Sequence, residues 1–145
     1  MSRRDELMAL ADRAEAATGA DRALDALVAL AAGYTTLPDA YGEGNDWWDA
    51  AGKALPRVRG FGAQPPKFTE SVDVALSLID MTEGIGNAGH AYFPNICRAT
   101  RDLGGSAYWW VTIARCFERY RGEAATLPLT LTAAALRALA QETPE

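Results

Sequence analysis

The stretch Ser106-Ala107-Tyr108-Trp109-Trp110-Val111-Thr112-Ile113-Ala114-Arg115-Cys116-Phe117-Glu118-Arg119-Tyr120 decides the fold class. In it Trp109, Val111, Ile113 and Phe117 alternate with Tyr108, Trp110, Thr112 and Cys116, the period of two that sends successive side chains to opposite faces of a strand. Both sets are rather apolar, so each face is expected to be at least partly covered. Residues 91–100 read as a second strand, and Leu103-Gly104-Gly105 between the two runs suits a hairpin turn.

Away from this pair the periodic segments are helical. Leu7, Leu10 and Ala14 share one face of an opening helix, Asp5 and Glu6 suit the positive end of its dipole, and Thr18-Gly19 stops it. Asp21 is the expected N-cap of a second helix with Leu24, Leu27, Val28 and Ala31 on its apolar face, ended by Gly33. Together the two form an αα-hairpin. Thr69 is the expected cap of a third helix carrying Val72, Ala75, Leu76 and Ile79. Thr126 and Pro128 open a last one, with Leu129, Leu131, Leu136 and Leu139 running to about Gln141.

Between Tyr34 and Phe68 periodicity disappears among four prolines, Pro38, Pro56, Pro65 and Pro66, and five glycines. A structureless loop of that length is unusual in a compact domain. Either short helical turns are hidden there, with Trp47-Trp48-Asp49-Ala50-Ala51 a candidate, or the loop is functional. The expected architecture over residues 1–145 is a single small α+β domain, amphipathic helices packed on a short antiparallel sheet, in the order α-α-loop-α-β-β-α.

With 145 residues and 49% hydrophobic side chains, the chain is long enough for one core and too short to suggest a second domain. Cys97 and Cys116 are too few for a disulfide scaffold, no secretory signal opens the sequence, and no uncharged run reaches the roughly 18 apolar residues of a membrane span. A soluble protein of the cytoplasm is expected. The net charge of −5 speaks against general binding to nucleic-acid backbones, which needs a surplus of Lys and Arg.

Four groups of residues invite a chemical reading. Gly84-Ile85-Gly86-Asn87-Ala88-Gly89 has the G-x-G-x-x-G spacing of a dinucleotide loop, but it follows a helix and runs into a strand, the reverse of what a pyrophosphate site needs. A flexible turn explains it better. His90, the sole histidine, has no ligand spacing to Cys97 or Cys116, and Ser106 lacks the flanks of a nucleophile elbow. Arg115, Arg119 and Arg121 would share one face if the strand ran on that far, and basic residues among aromatics can hold single-stranded nucleic acid. Against that stand Glu118, Glu123 and the overall acidity. Glu43, Asp46 and Asp49 flank Trp47-Trp48, a set that in a groove would suit a sugar or a pair of catalytic carboxylates, and otherwise places indoles in the core and acids in solvent.

Three segments carry a family likeness: Glu6-Leu7-Met8 followed by Arg22-Ala23-Leu24-Asp25; Phe68-Thr69-Glu70-Ser71-Val72-Asp73-Val74-Ala75-Leu76; and Ala125-Thr126-Leu127-Pro128-Leu129 running into Ala133-Ala134-Ala135-Leu136-Arg137-Ala138-Leu139. Together they resemble the phage ABA sandwich domain, a small module of phage and prophage genomes in which helices pack around a sheet. The resemblance implies that fold and a bacterial host cytoplasm, and brings neither a settled activity nor a catalytic residue. Residues 34–66 and 84–102 lie outside it.

The combined expectation is a non-enzymatic phage or prophage accessory protein that binds another protein, itself or a host factor, host-defence proteins among them. Its expected contact residues are Tyr41, Asp46, Trp47, Trp48, Asp49, His90 and Tyr92. No cofactor, metal set or catalytic constellation is expected. The alternatives are a small-ligand or carbohydrate-binding domain or enzyme at the Trp-Asp segment, and a nucleic-acid binder through Arg115 to Arg121.

Overall fold

The structure is a computed structural model that describes residues 2–38, 44–58, 62–80, 92–100, 107–115 and 118–142. Helix α1 (Arg3–Ala16) starts at a capping box, in which Ser2 Oγ accepts from Asp5 N at 3.2 Å and Asp5 Oδ2 accepts from Ser2 N at 3.2 Å. It buries Leu7, Ala11 and Ala14. Helix α2 (Arg22–Ala31) is capped by Asp21, whose carboxylate accepts from Leu24 N, and ends before Gly33, whose φ of 98° is natural only for glycine.

Helix α2 presents a different face to the core from the one its periodicity suggests. Leu24, Asp25, Val28 and Ala29 are buried, whereas Leu27 is exposed. The rotation follows from Asp25, a fully buried carboxylate that accepts from Thr69 N at 2.8 Å and from Arg22 Nη1 at 2.7 Å. Arg22 also donates to Pro65 O, and Asp21 N donates to Thr69 Oγ1. With Thr69 engaged at the start of α2, the N-cap of α3 (Val72–Asp80) is Ser71, whose Oγ accepts from Val74 N, instead of the expected Thr69.

The segment expected to be a loop or a set of helical turns is a four-stranded antiparallel sheet in the order β1-β2-β4-β3. Its strands are β1 (Thr35–Pro38), β2 (Asn45–Trp48), β3 (Arg57–Val58) and β4 (Gly62–Ala63). Two to four residues are too few to display an alternating pattern, and the prolines and glycines between them hide the rest. Trp47 and Trp48 therefore end a strand, and the turn that follows is Asp49–Gly52, closed by Asp49 Oδ1 accepting from Ala51 N and Lys53 N.

The second sheet is a meander, β5 (Tyr92–Thr100), β6 (Ala107–Arg115) and β7 (Glu118–Ala124), in that order. What reads as one strand to Tyr120 is thus broken by a hairpin in which Arg115 faces Glu118. Val111, Ile113, Tyr120 and Ala124 point into the core, while Trp110 on the opposite face is half-buried. Helix α4 (Leu127–Glu142), with Thr126 Oγ1 accepting from Leu129 N, packs on β6 and β7 and on α1 and α3.

Every residue of α4 from Leu129 to Leu136 is buried, as befits a helix covered on most sides. Its run of alanines lets the sheet approach closely. At Gly122 on β7 a Cβ atom would lie 2.1 Å from Thr130 O. One core joins the four helices with β2, β4, β6 and β7, from Leu7 to Ala140, and the architecture is a single small α+β domain with helices on antiparallel sheets. No helix among the described residues is long and apolar enough to cross a membrane.

Candidate functional site

The small sheet separates the two neighbouring tryptophans by strand alternation. Trp47 is 5% exposed and belongs to the core, whereas Trp48 and Asp46 are half-buried on the opposite side of β2. Register places Leu37 of β1 directly across from Asp46, and Thr35 across from Trp48. Leu37 is 61% exposed and Val58, on the far edge strand β3, is 55% exposed. Asp46 is held by Arg57 at 2.7 Å, an ion pair that keeps the carboxylate in place between apolar neighbours.

At the inner end of this sheet lies a cleft of about 220 Å³ lined by Tyr34, Asp49, Ala50, Ala51 and Ser77. The Tyr34 ring meets Phe68 edge to face, with centroids 6.1 Å apart, and Phe68 is fully buried. Gly33 allows the turn at this point through its φ of 98°, whereas a Cβ there would meet Ala50 Cβ only at the ordinary contact distance of 3.5 Å. Burial, and then the charge of Asp49, push the Tyr34 hydroxyl above its ordinary pKa. Ser77 Oγ donates to Val74 O at 2.5 Å, so its remaining capacity is to accept.

Of the expected contact residues, Asp46, Trp48 and Asp49 lie together on β2 and the turn that follows it. Trp47 is turned away into the core. Tyr92 opens β5, where it pairs with Ala114 on the other sheet. Tyr41 and His90 lie outside the described residues, as do Glu43, the glycine run 84–89, the turn 103–105, Ser106 and Cys116. Leu37, Val58, Tyr34 and Ser77 join the site without having been marked by sequence. Leu37 and Val58 carry no signal beyond being single apolar residues among polar ones, and Ser77, at i+4 from Asp73, reads as part of the polar side of its helix.

The arginines expected to form one basic face are divided by the β6–β7 hairpin. Arg119 and Arg121 are two apart on β7, while Arg115 sits on β6 opposite Glu118. The Arg121 guanidinium lies 4.6 Å over the Trp110 ring and 3.5 Å from Glu123. Among the described residues no three His, Cys, Asp or Glu side chains gather as a metal site. No family model, curated protein or solved structure matches the chain.

Proposed function

We propose that this chain is a non-enzymatic accessory protein of phage or prophage type that acts in the bacterial cytoplasm by binding another protein through the outer face of its small sheet. The observation that carries the reading is the outward set Leu37, Trp48 and Val58 around the Asp46–Arg57 ion pair. An indole beside exposed aliphatic side chains, with a charged pair among them, has the composition of a protein-binding hot spot and its polar surround. The phage assignment rests on the likeness of the helices to the phage ABA sandwich domain.

One feature favours contact over carbohydrate chemistry at the same residues. Asp46 is neutralised by Arg57, so Asp46 and Asp49 do not stand ready as a catalytic pair. The test is co-purification of the tagged chain from its bacterial host. A stoichiometric second protein, or a defined oligomer of the chain itself, is expected. A monomer that recovers no partner from infected and uninfected cells alike contradicts the proposal.

A further inference from the structure

We infer that the cleft between Tyr34, the turn 49–51 and Ser77 is a binding site for the head of an organic cation, a guanidinium or a primary ammonium on a short aliphatic stem. Its volume of about 220 Å³ falls below the ~300 Å³ at which pockets for drug-sized ligands begin, which selects a group the size of one side chain. Its few polar groups select the charge. Asp49 is an acceptor when ionised, and its Oδ2 receives no donor among the described residues while Oδ1 is held by two backbone N–H groups. Ser77 has committed its proton to Val74 O and offers only lone pairs.

The third polar group, the Tyr34 hydroxyl, both donates and accepts, and its ring supplies a π face. Burial and Asp49 keep that hydroxyl protonated well into the alkaline range, so it adds no second negative charge. The ring is fixed edge-on against buried Phe68 before any ligand arrives. Among the described lining residues the polar groups are mainly acceptors, Asp49 and Ser77 beside one hydroxyl of Tyr34, which matches a donor-rich cation and disfavours carboxylates and phosphates. Alanines 50 and 51 leave the walls apolar for an alkyl stem.

The site does not depend on the protein-binding proposal, because its cation can come from a free metabolite or from an Arg or Lys of a partner. The probe is n-butylguanidinium, titrated into the full chain and followed by amide chemical shifts. Saturable shifts at Ala50, Ala51 and Ser77 are expected, with butyrate producing none. Asp49→Asn keeps Oδ1 to close the turn and removes the charge, so it should stay folded and bind about tenfold more weakly. Tyr34→Phe, a second variant that preserves the ring, should bind a few-fold more weakly. Absence of saturable shifts, equal affinity in Asp49→Asn, or equal binding of butyrate overturns the inference. Competition between n-butylguanidinium and a captured partner assigns the cation to that partner's side chain, and its absence assigns a free small molecule.

Discussion

Glu15 of α1 and Arg137 of α4 together take the place of a further strand along the open edge of β7. Glu15 Oε2 accepts from Glu123 N at 2.8 Å, Arg137 Nη1 donates to Arg121 O at 2.7 Å, and the two side chains are paired with each other. Arg137 also reaches Asp12 at 3.0 Å. One ion pair thereby satisfies one edge amide and one edge carbonyl of β7 and covers part of the edge that would otherwise template pairing with another chain. The carboxylates hold the Arg137 guanidinium above its already high pKa, led by the hydrogen bond to Glu15.

Arg137→Ala is expected to lower stability by about 2 kcal/mol and to raise the tendency to aggregate, because it frees a polar strand edge and strands Glu15. In a double-mutant cycle with Glu15→Ala, the double variant should lose less than the sum of the singles. Denaturant unfolding measures both. Additive losses would show that the two side chains act separately.

Gly122→Ala should be among the most damaging single changes, since its Cβ would sit 2.1 Å from a helix backbone oxygen that cannot rotate away. A loss of about 3 kcal/mol or more, or failure to fold, is expected from such overpacking. A thermal midpoint close to that of the parent would mean that β7 and α4 are farther apart than described.

Asp25 ties the start of α2 to the turn that leads into α3. Asp25→Ala leaves the Thr69 amide and the Arg22 guanidinium without their buried partner and should cost about 3 kcal/mol. Asp25→Asn retains an acceptor for Thr69 N and should cost less. Equal losses in the two variants, read by denaturant midpoint, would remove the hydrogen bond to Thr69 N from the explanation and leave the carboxylate charge.

Tyr34 is predicted to titrate above the usual tyrosine value of about 10, with burial the larger cause and Asp49 the smaller. The folded state therefore holds this proton more tightly than the unfolded one. Its contribution to stability is complete below the unfolded value and declines as pH rises through the folded value. Asp49→Asn should bring the phenol only part of the way back. Phenolate absorbance in the parent and in Tyr34→Phe isolates the transition; an ordinary value for Tyr34, or a rise in Asp49→Asn, contradicts the assignment.

The helices are legible in the sequence because 3.6-residue periodicity survives over nine or more residues, and the caps at Asp21 and Thr126 are visible as single letters. Tertiary bonds decide what is not visible. Asp25 looks like a surface residue, and only its distant partners Thr69 and Arg22 explain why it is buried and Leu27 is not. The small sheet is illegible because its strands are only two to four residues long and pair across proline and glycine. Strand β7 is hidden differently, since Arg119-Tyr120-Arg121 reads as the end of the strand that begins at Ser106, and only the pairing of Arg115 with Glu118 and the cover of α4 over Tyr120 and Gly122 make 118–124 a strand of its own. Of the site, the tryptophan pair is legible, and the opposite fates of its two members follow from β-alternation that the sequence does not announce.

The most direct test of the account is the affinity of the captured partner, or of the chain for itself, measured for the parent, Trp48→Ala, Leu37→Glu and Trp47→Ala beside their unfolding midpoints. Trp47→Ala should lose about 3 to 5 kcal/mol of stability as a core truncation. Trp48→Ala and Leu37→Glu should remain near the parent in stability and bind at least about tenfold more weakly, as loss of a hot-spot anchor requires. Undiminished binding by both folded variants would contradict the assignment of the small sheet's outer face as the contact surface.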